Sequence, residues 1–272
     1  TFYGKDVNYL PNRFPKWRER YLRLFETVDA VLCEGPHMGR CIAALGCPLE
    51  RINVLHLGTD SQSIAFQPRK WSSTATLRIL IAASFREKKG ITYGLSAIGE
   101  LLSRGYDVEV TVVGDASEDP RSQIEKQAIL ATVARYRMEN RVRFIGYVDY
   151  RALLAESYRN HVYLAPSVTA SDGDTEGGAP VSLIDMAATG IPIVSTTHCD
   201  IPEVVVNGVT GLLAPERDVD SLVKHLIWLI EHPESWESML HAARRRIEDE
   251  FDVVSQAARL AEAYQRIAFR ES

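Results

Sequence analysis

The sequence has none of the features of a membrane-spanning or secreted protein. Its 272 residues include no apolar run long enough to span a bilayer and no signal peptide. The few cysteines form no CxxC pair and no metal-ligand spacing; they are Cys33, Cys41, Cys47 and Cys199. The pattern predicts a cytoplasmic protein with reduced thiols and no bound metal.

Two further classes of protein are disfavoured by what is missing. The formal net charge of −5 and a pI near 5.8 argue against a nucleic-acid-binding protein. The chain holds neither G-x-G-x-x-G nor G-x-x-x-x-G-K-[ST], so dinucleotide-binding and NTPase functions lose support. The composition that remains, 46% hydrophobic and 25% charged, is typical of a globular protein.

Short apolar runs alternate with amphipathic segments from Leu77 onward. The predicted strands are residues 77–83, 108–113, 142–145, 162–165, 192–195 and 211–213. The predicted helices are residues 91–104, 120–139, 151–158, 181–189, 218–231, 233–248 and 253–270. This alternation predicts an α/β fold with a parallel, doubly wound sheet, in which ligands bind beyond the carboxyl ends of the strands.

The first part of the chain, before Leu77, contains fewer predicted helices and strands. It reads as a basic helix, a strand, a helix and a strand, at residues 16–25, 28–33, 36–45 and 52–55. So few elements cannot bury a closed core. We therefore expect residues 1–69 to be the C-terminal portion of a larger N-terminal domain.

The most informative segment is a polar loop that leads into the predicted helix 181–189. The loop carries three carboxylates and the adjacent glycines Gly177 and Gly178, and the helix has a proline at its start and Gly190 after its end. Free backbone N–H groups and the positive end of the helix dipole favour an anion there. Because acidic side chains accept hydrogen bonds from hydroxyl groups, the loop predicts a ligand that combines phosphate and sugar.

Six segments resemble, in the same order, the retaining nucleotide-sugar glycosyltransferases of the GT-B fold. They are residues 46–60, 84–90, 144–148, 176–187, 197–203 and 207–213. The resemblance covers nearly the whole chain and implies two Rossmann-like domains, the N-terminal one for the acceptor and the C-terminal one for the sugar nucleotide. It implies that residues 1–69 belong to the acceptor domain, that residues 70–250 bind the nucleotide sugar, and that the helix at 251–272 packs back toward the N-terminal domain.

The same resemblance implies roles for two acids. In the family, two glutamates are separated by seven residues; the first lies beside the donor sugar and the second accepts hydrogen bonds from the ribose. Glu176 and Asp185 match them, with eight residues between and the shorter Asp as the second acid. The two glycines after Glu176 can absorb the extra residue. We predict that Glu176 is catalytic and that Asp185 binds the ribose.

The remaining donor contacts follow from the other matched segments. Arg86 and Lys89 are predicted to stabilise the diphosphate without a metal, although both belong to a charge run that could also be solvated surface. The family arginine usually stands at the position of Ser84, and Arg86 points the same way on an extended segment. The predicted base-binding residues are Tyr147 and Val148, and those at the helix N-terminus are Gly177, Gly178 and Ser182.

Other matched positions carry weaker predictions. Tyr3 stands where the family often has a histidine that faces the donor, so that histidine's role is not transferred to it. His198 follows a strand, but a loop histidine is more often incidental. Asp200 and Glu203 have the spacing of a helix cap. The basic segment 13–23 is either a peripheral membrane contact or a solvated helix face.

We therefore predict retaining transfer of a sugar from a nucleotide-diphosphate sugar to a lipid-linked or polysaccharide acceptor. The donor is a substrate and no cofactor is expected. The protein would be cytoplasmic, with possible contact at the inner face of the membrane. Two alternatives remain: a nucleotide-sugar-binding module that lacks transfer activity as an isolated fragment, and a sugar-nucleotide epimerase of the same fold.

Overall fold

The computed structural model describes residues 1–72 and 74–269, and these residues form two parallel sheets. The smaller sheet has two strands, β1 (Val31–Cys33) and β2 (Ile52–Val54). The larger sheet has the strand order β5-β4-β3-β6-β7-β8. Its strands are β3 (Leu77–Ala82), β4 (Val108–Val113), β5 (Val142–Gly146), β6 (Val162–Ala165), β7 (Ile193–Thr196) and β8 (Leu212–Ala214).

Helices separate almost all of these strands. Before the larger sheet come α1 (Leu10–Arg13), α2 (Lys16–Thr27) and α3 (Pro36–Ala44). Within it come α4 (Ile91–Ser103), α5 (Pro120–Arg135), α6 (Tyr150–Arg159), α7 (Val181–Thr189) and α8 (Ile201–Val204), and after it α9 (Val219–Glu231), α10 (Trp236–Glu250) and α11 (Val253–Ala268). No helix of residues 1–72 or 74–269 is both long and apolar enough to cross a membrane.

The larger sheet is covered on both faces, which explains its apolar strands. Along β3, the buried side chains of Ile79 and Ile81 pack toward α4, α5 and α9, whereas Leu80 packs toward α7 and α10. Burial of this kind contributes roughly 1.5–3 kcal/mol for each large aliphatic side chain. The sheet is therefore held rigidly between two helical layers.

The order of the strands reverses at β3. Its neighbours are β4 on one side and β6 on the other, both in parallel register. The loops that follow β3 and β6 consequently leave the carboxyl edge side by side, and such a reversal is where doubly wound sheets bind ligands. The segments that carry the predicted site, residues 84–90 and 166–180, are these two loops.

The first part of the chain packs around its own apolar cluster. Phe2, Tyr21, Phe25, Met38 and Ile42 are buried there between α2, α3 and the small sheet. This part joins the larger unit at Thr59, which forms a parallel bridge with Asp252 just before α11.

The predicted strands and helices are confirmed, with differences at their ends that have local causes. The helix expected at 120–139 ends at Arg135, because Arg137 has a positive φ of 53°. The strand expected at 28–33 begins at Val31, because the N–H of Val28 still bonds to Leu24 at the end of α2. The final predicted helix extended to Arg270, which lies outside the described residues.

Candidate active site

Residues 169–177, which we name the donor loop, lie between β6 and α7 and are covered by the start of the chain. Gly177 has a left-handed φ of 84°, and a Cβ built on it would lie 2.1 Å from the Cα of Gly4. The Asn8 side chain donates to Thr175 Oγ1 at 2.8 Å. The two backbones touch, so Gly4 and Gly177 both need to be glycine. The segment around Gly4 therefore packs directly on residues 175–177.

Glu176 is the charged centre of this region. Its Oε2 accepts a hydrogen bond from Lys89 Nζ at 2.8 Å, and its Oε1 accepts one from Ser167 Oγ at 2.8 Å. Its side chain is only 6% exposed. Burial raises the pKa of this carboxyl, but the nearby Lys89, Lys88 and Ser167 outweigh burial and leave the pKa lowered. Glu176 is thus a buried, ionised carboxylate.

The N-terminus of α7 lies beside this pair and carries unpaired backbone N–H groups. Across the part of the chain that the structure describes, the backbone N–H groups of Gly178 and Ser182 donate to no protein acceptor. Ser182 Oγ accepts from the buried hydroxyl of Tyr163 at 3.0 Å and lines a narrow cleft together with Lys89 and Glu176. Free amides, a hydroxyl and an ammonium group at one helix end make an anion site.

Asp185 lies one helical turn further into α7 and is 5% exposed. Its Oδ1 accepts from Thr59 Oγ1 at 2.6 Å, and the Tyr150 hydroxyl is a second partner. Burial raises the pKa of Asp185, and these two hydrogen bonds only partly oppose that effect. The structure therefore turns Asp185 toward the chain segment that joins the two sheets.

Arg86 and the two predicted base-binding residues do not line the cleft formed by Lys89, Glu176 and Ser182. Arg86 is extended, as predicted, but its side chain is exposed. It lines a second cavity of about 320 Å³, which Ser171 and Asp174 of the donor loop also line. Tyr147 is 62% exposed and its hydroxyl donates to the Asp115 carbonyl at 2.7 Å. Val148 packs against the core, just after β5.

His198 was expected to be incidental, but the structure places it beside Glu176. It is 1% exposed; its Nε2 lies 3.1 Å from the backbone N of Glu176, and its Nδ1 lies 2.6 Å from Glu216 Oε1. The sequence did carry a signal, because both His198 and Glu216 closely follow parallel strands, β7 and β8, whose carboxyl ends face the donor loop.

The predicted helix cap at Asp200 is wrong. Its carboxylate makes no capping hydrogen bond to α8 and instead accepts from the backbone N–H groups of His37 and Met38, at 2.6 and 3.2 Å. Asp200 thereby caps the N-terminus of α3, because the first N–H groups of a helix have no acceptor within the helix.

Glu34 is a second acid that the sequence did not single out. A Cβ built on Gly178 would lie 2.0 Å from its Oε2, so its carboxyl faces the start of α7. Burial, together with the charges of Asp200 and Glu176, raises the pKa of Glu34 to about 7. Within residues 1–72 and 74–269, no group of three His, Cys, Asp or Glu side chains could hold a metal ion.

Comparison with known proteins agrees with this architecture. The chain is 31% identical over 268 residues to the amylovoran biosynthesis glycosyltransferase AmsK of Erwinia amylovora, covering 98% of this chain and 63% of AmsK. It is 31% identical over 253 residues to the putative colanic acid biosynthesis glycosyltransferase WcaL of Escherichia coli K12, covering 92% of this chain and 60% of that protein. The chain thus spans slightly less than two thirds of these relatives.

Solved structures show the same fold at lower identity. Anabaena HepE in complex with UDP superposes with a TM-score of 0.83 at 18% identity, over 96% of this chain and 71% of HepE. Sucrose-phosphate synthase from Thermosynechococcus elongatus superposes with a TM-score of 0.79 at 18% identity, over 98% of this chain and 65% of that enzyme. These likenesses confirm the predicted α/β fold of the GT-B type.

The family model described as "Glycosyl transferases group 1" matches residues 76–232, which contain the larger sheet and the donor loop. With the 31% identity to AmsK along almost the entire chain, this match confirms the glycosyltransferase family predicted from the six sequence segments. The chain belongs to the group 1 glycosyl transferases.

Proposed function

We propose that the protein is a retaining glycosyltransferase that moves a sugar from a nucleotide-diphosphate sugar to a lipid-linked or polysaccharide acceptor. The observation that carries the proposal is the contact between Lys89 and Glu176 beside the unpaired N–H groups at the start of α7. An anion site next to a buried carboxylate suits a ligand with a diphosphate at one end and a sugar at the other. The named functions of AmsK and WcaL support a polysaccharide product.

The donor would lie along the carboxyl edge of the larger sheet. Its base would contact Tyr147 and Val148 after β5, and its phosphates would bind Gly177, Gly178 and Ser182 after β6. Strands β5 and β6 are three inter-strand spacings apart, or about 14 Å. An extended sugar nucleotide can bridge that distance, and the crystal structure of Anabaena HepE in complex with UDP-glucose supports this class of donor.

Two predicted donor contacts require movement. Arg86 lines the neighbouring cavity, and Asp185 is bonded to Thr59, so each would reach the donor only after a local rearrangement. We propose that Arg86 turns toward the diphosphate and that Asp185 exchanges Thr59 for a ribose hydroxyl. Domain closure over a bound donor is a common cause of such changes.

In the proposed reaction, negative charge develops on the leaving diphosphate and positive charge develops on the sugar ring. The acceptor hydroxyl attacks the anomeric carbon on the face from which the diphosphate leaves, and its proton passes to the leaving phosphate oxygen. Lys89, shared between Glu176 and the phosphate, stabilises the negative charge that develops there, without a metal in this proposal. The Glu176 carboxylate orients the sugar and stabilises the positive charge on its ring.

The first part of the chain would contribute to acceptor binding at the inner face of the membrane. The cations Arg13 and Lys16 are exposed at the start of α2, and so are the apolar side chains of Phe14, just before the helix, and of Leu22 and Leu24 within it. A cationic helix with exposed apolar groups suits an anionic lipid surface. Co-sedimentation with phosphatidylglycerol vesicles, but not with phosphatidylcholine vesicles, is the expected result; equal sedimentation with both would contradict this part of the proposal.

Calorimetric titration with UDP-, GDP-, ADP- and dTDP-sugars tests the donor class. We expect one base to bind clearly and Lys89→Ala to weaken that binding. Transfer is then measured with and without EDTA, and the anomeric configuration of the product is read by NMR. Binding without transfer would favour the binding-module alternative, formation of an epimeric donor would favour the epimerase, and no binding of any sugar nucleotide would overturn the proposal.

A further inference from the structure

One carboxylate ties both ends of the donor loop. Glu216 follows β8 and accepts the Thr169 N–H on Oε2 at 2.7 Å, at the start of the loop. The Thr169 hydroxyl lies 3.3 Å from Oε1, and the same oxygen lies 2.6 Å from His198 Nδ1. His198 in turn contacts the backbone of Glu176, near the end of the loop. The side chains of Glu216 and His198 therefore connect the two ends of the donor loop.

The direction of these hydrogen bonds determines which ring nitrogen of His198 carries the proton. The backbone N–H of Glu176 is a donor, so Nε2 must accept. The proton is then on Nδ1, where it is donated to the Glu216 carboxylate. With a proton on Nε2, the ring would turn one donor toward another, the N–H of Glu176, and this N–H would lose its acceptor. Water cannot replace that acceptor because the ring is 1% exposed.

Several charged or titratable groups surround the imidazole ring of His198. Cys199 Sγ lies 3.2 Å from Nε2, and Asp200 follows it in the same loop. His37 approaches from α3, and Arg217 lies 3.7 Å from the other oxygen of Glu216. The Glu176 carboxylate points away from the ring, toward Lys89 and Ser167.

The middle of the donor loop has separate supports. Lys88 donates to Asp174 and to the Thr175 carbonyl, at 3.2 and 2.7 Å. Glu87 accepts from the backbone and the hydroxyl of Ser171, at 2.8 and 2.6 Å. His198 holds the loop at the backbone of Glu176 itself, so its loss would release the residue that carries the proposed chemistry.

We propose that His198 and Glu216 are positioning residues: neutral His198, oriented by Glu216, holds the backbone of Glu176 and so directs its carboxylate toward the donor sugar. The inference rests on the proposed function for its catalytic consequence. The anchoring of the loop is a property of the chain without donor and can be measured separately.

The test compares His198→Gln, which retains an acceptor near the position of Nε2, with His198→Phe, which retains bulk but no acceptor. His225→Phe is the matched control, because His225 bonds to the Leu213 carbonyl and not to the donor loop. Hydrogen exchange of the Glu176 amide should be about tenfold faster in His198→Phe and within about threefold of wild type in His198→Gln and His225→Phe. Equal exchange rates of this amide in His198→Phe and wild type would refute the proposal that His198 anchors the loop.

Steady-state kinetics test whether loss of the contact between His198 and Glu176 lowers turnover. His198→Phe and Glu216→Gln should lower kcat at least tenfold and leave the affinity for the nucleotide within about twofold, with rescue of kcat in His198→Gln. An unchanged kcat in a His198→Phe protein with a loosened loop would refute the positioning role. If the wild type transfers no sugar, the proposed function fails, while the exchange data still decide the anchor.

Discussion

The Lys89–Glu176 ion pair provides the sharpest test of the site. Its two side chains are 21% and 6% exposed and 2.8 Å apart. Lys89→Ala leaves a buried carboxylate with Ser167 as its remaining close partner and Lys88 nearby. Removing one member of a buried pair costs roughly 3–5 kcal/mol. Because Lys88 and protonation of Glu176 relieve part of this cost, we expect a loss of about 2–4 kcal/mol of unfolding free energy near neutral pH.

The pH dependence follows from the lowered pKa of Glu176. In the wild type, a lowered folded-state pKa contributes stability above the unfolded value of about 4.3, and that contribution is lost as pH falls through the folded pKa. In Lys89→Ala, burial dominates and the carboxyl resists ionisation. The loss of stability should therefore be large at about pH 7.5 and small near pH 4.

Urea unfolding of three variants separates this mechanism from a general packing defect. Lys126→Ala, which removes the half-exposed pair with Asp115, should cost less than about 1 kcal/mol. Lys89→Ala combined with Glu176→Gln should recover most of the lost stability, because the buried charge is gone. Both Lys89 variants should still bind the nucleotide about 10- to 150-fold more weakly, since a charged hydrogen bond contributes roughly 1.5–3 kcal/mol. A loss of stability that is equal at both pH values, or that the double variant does not recover, would refute the reasoning.

Three further outcomes are expected. Glu176→Gln should lower turnover far more than nucleotide affinity, whereas Asp185→Ala should mainly weaken binding, as steady-state kinetics and calorimetry will show; normal turnover in Glu176→Gln would contradict the assignment. Gly177→Ala should destabilise the protein by more than about 2 kcal/mol because its Cβ has no room, while Gly173→Ala, with the same φ of 84° and open space, should cost only about 1 kcal/mol; equal thermal shifts would contradict this. Glu34 has a raised pKa, so its contribution to stability is full below the unfolded pKa of about 4.3 and is lost as pH rises through about 7; Glu34→Gln should therefore flatten the stability profile in that window, and an unchanged profile would count against it.

Much of the fold could be predicted from the sequence because its signals are local. Each strand of the larger sheet is a short apolar run that ends at a polar or glycine-rich turn, and each long helix has an apolar face. The parallel order follows from the alternation of these elements. The bounds of several elements differ by a few residues, and at the end of α5 a single local event, the positive φ of Arg137, explains the difference.

Only part of the candidate site could be predicted from such local signals. Its residues could be assigned to loops at one edge of the sheet, but their partners could not. Lys89 and Glu176 are 87 positions apart, and Thr59 and Asp185 are 126 apart. Such pairs depend on which strands are neighbours and on how the loops after them close, and no periodic pattern records either.

The sequence by itself determined the α/β class, the family resemblance and the edge of the sheet at which the candidate site lies, since spacing, helix signals and glycine positions are properties of neighbouring residues. Only the tertiary structure decided that Lys89 pairs with Glu176, that Asp185 is held by Thr59, that Arg86 lines a second cavity on the donor loop, and that His198 supports this loop. The physical reason is that burial and hydrogen-bond partners of a side chain are set by segments distant in the chain, which meet only when the sheet and its helices have packed.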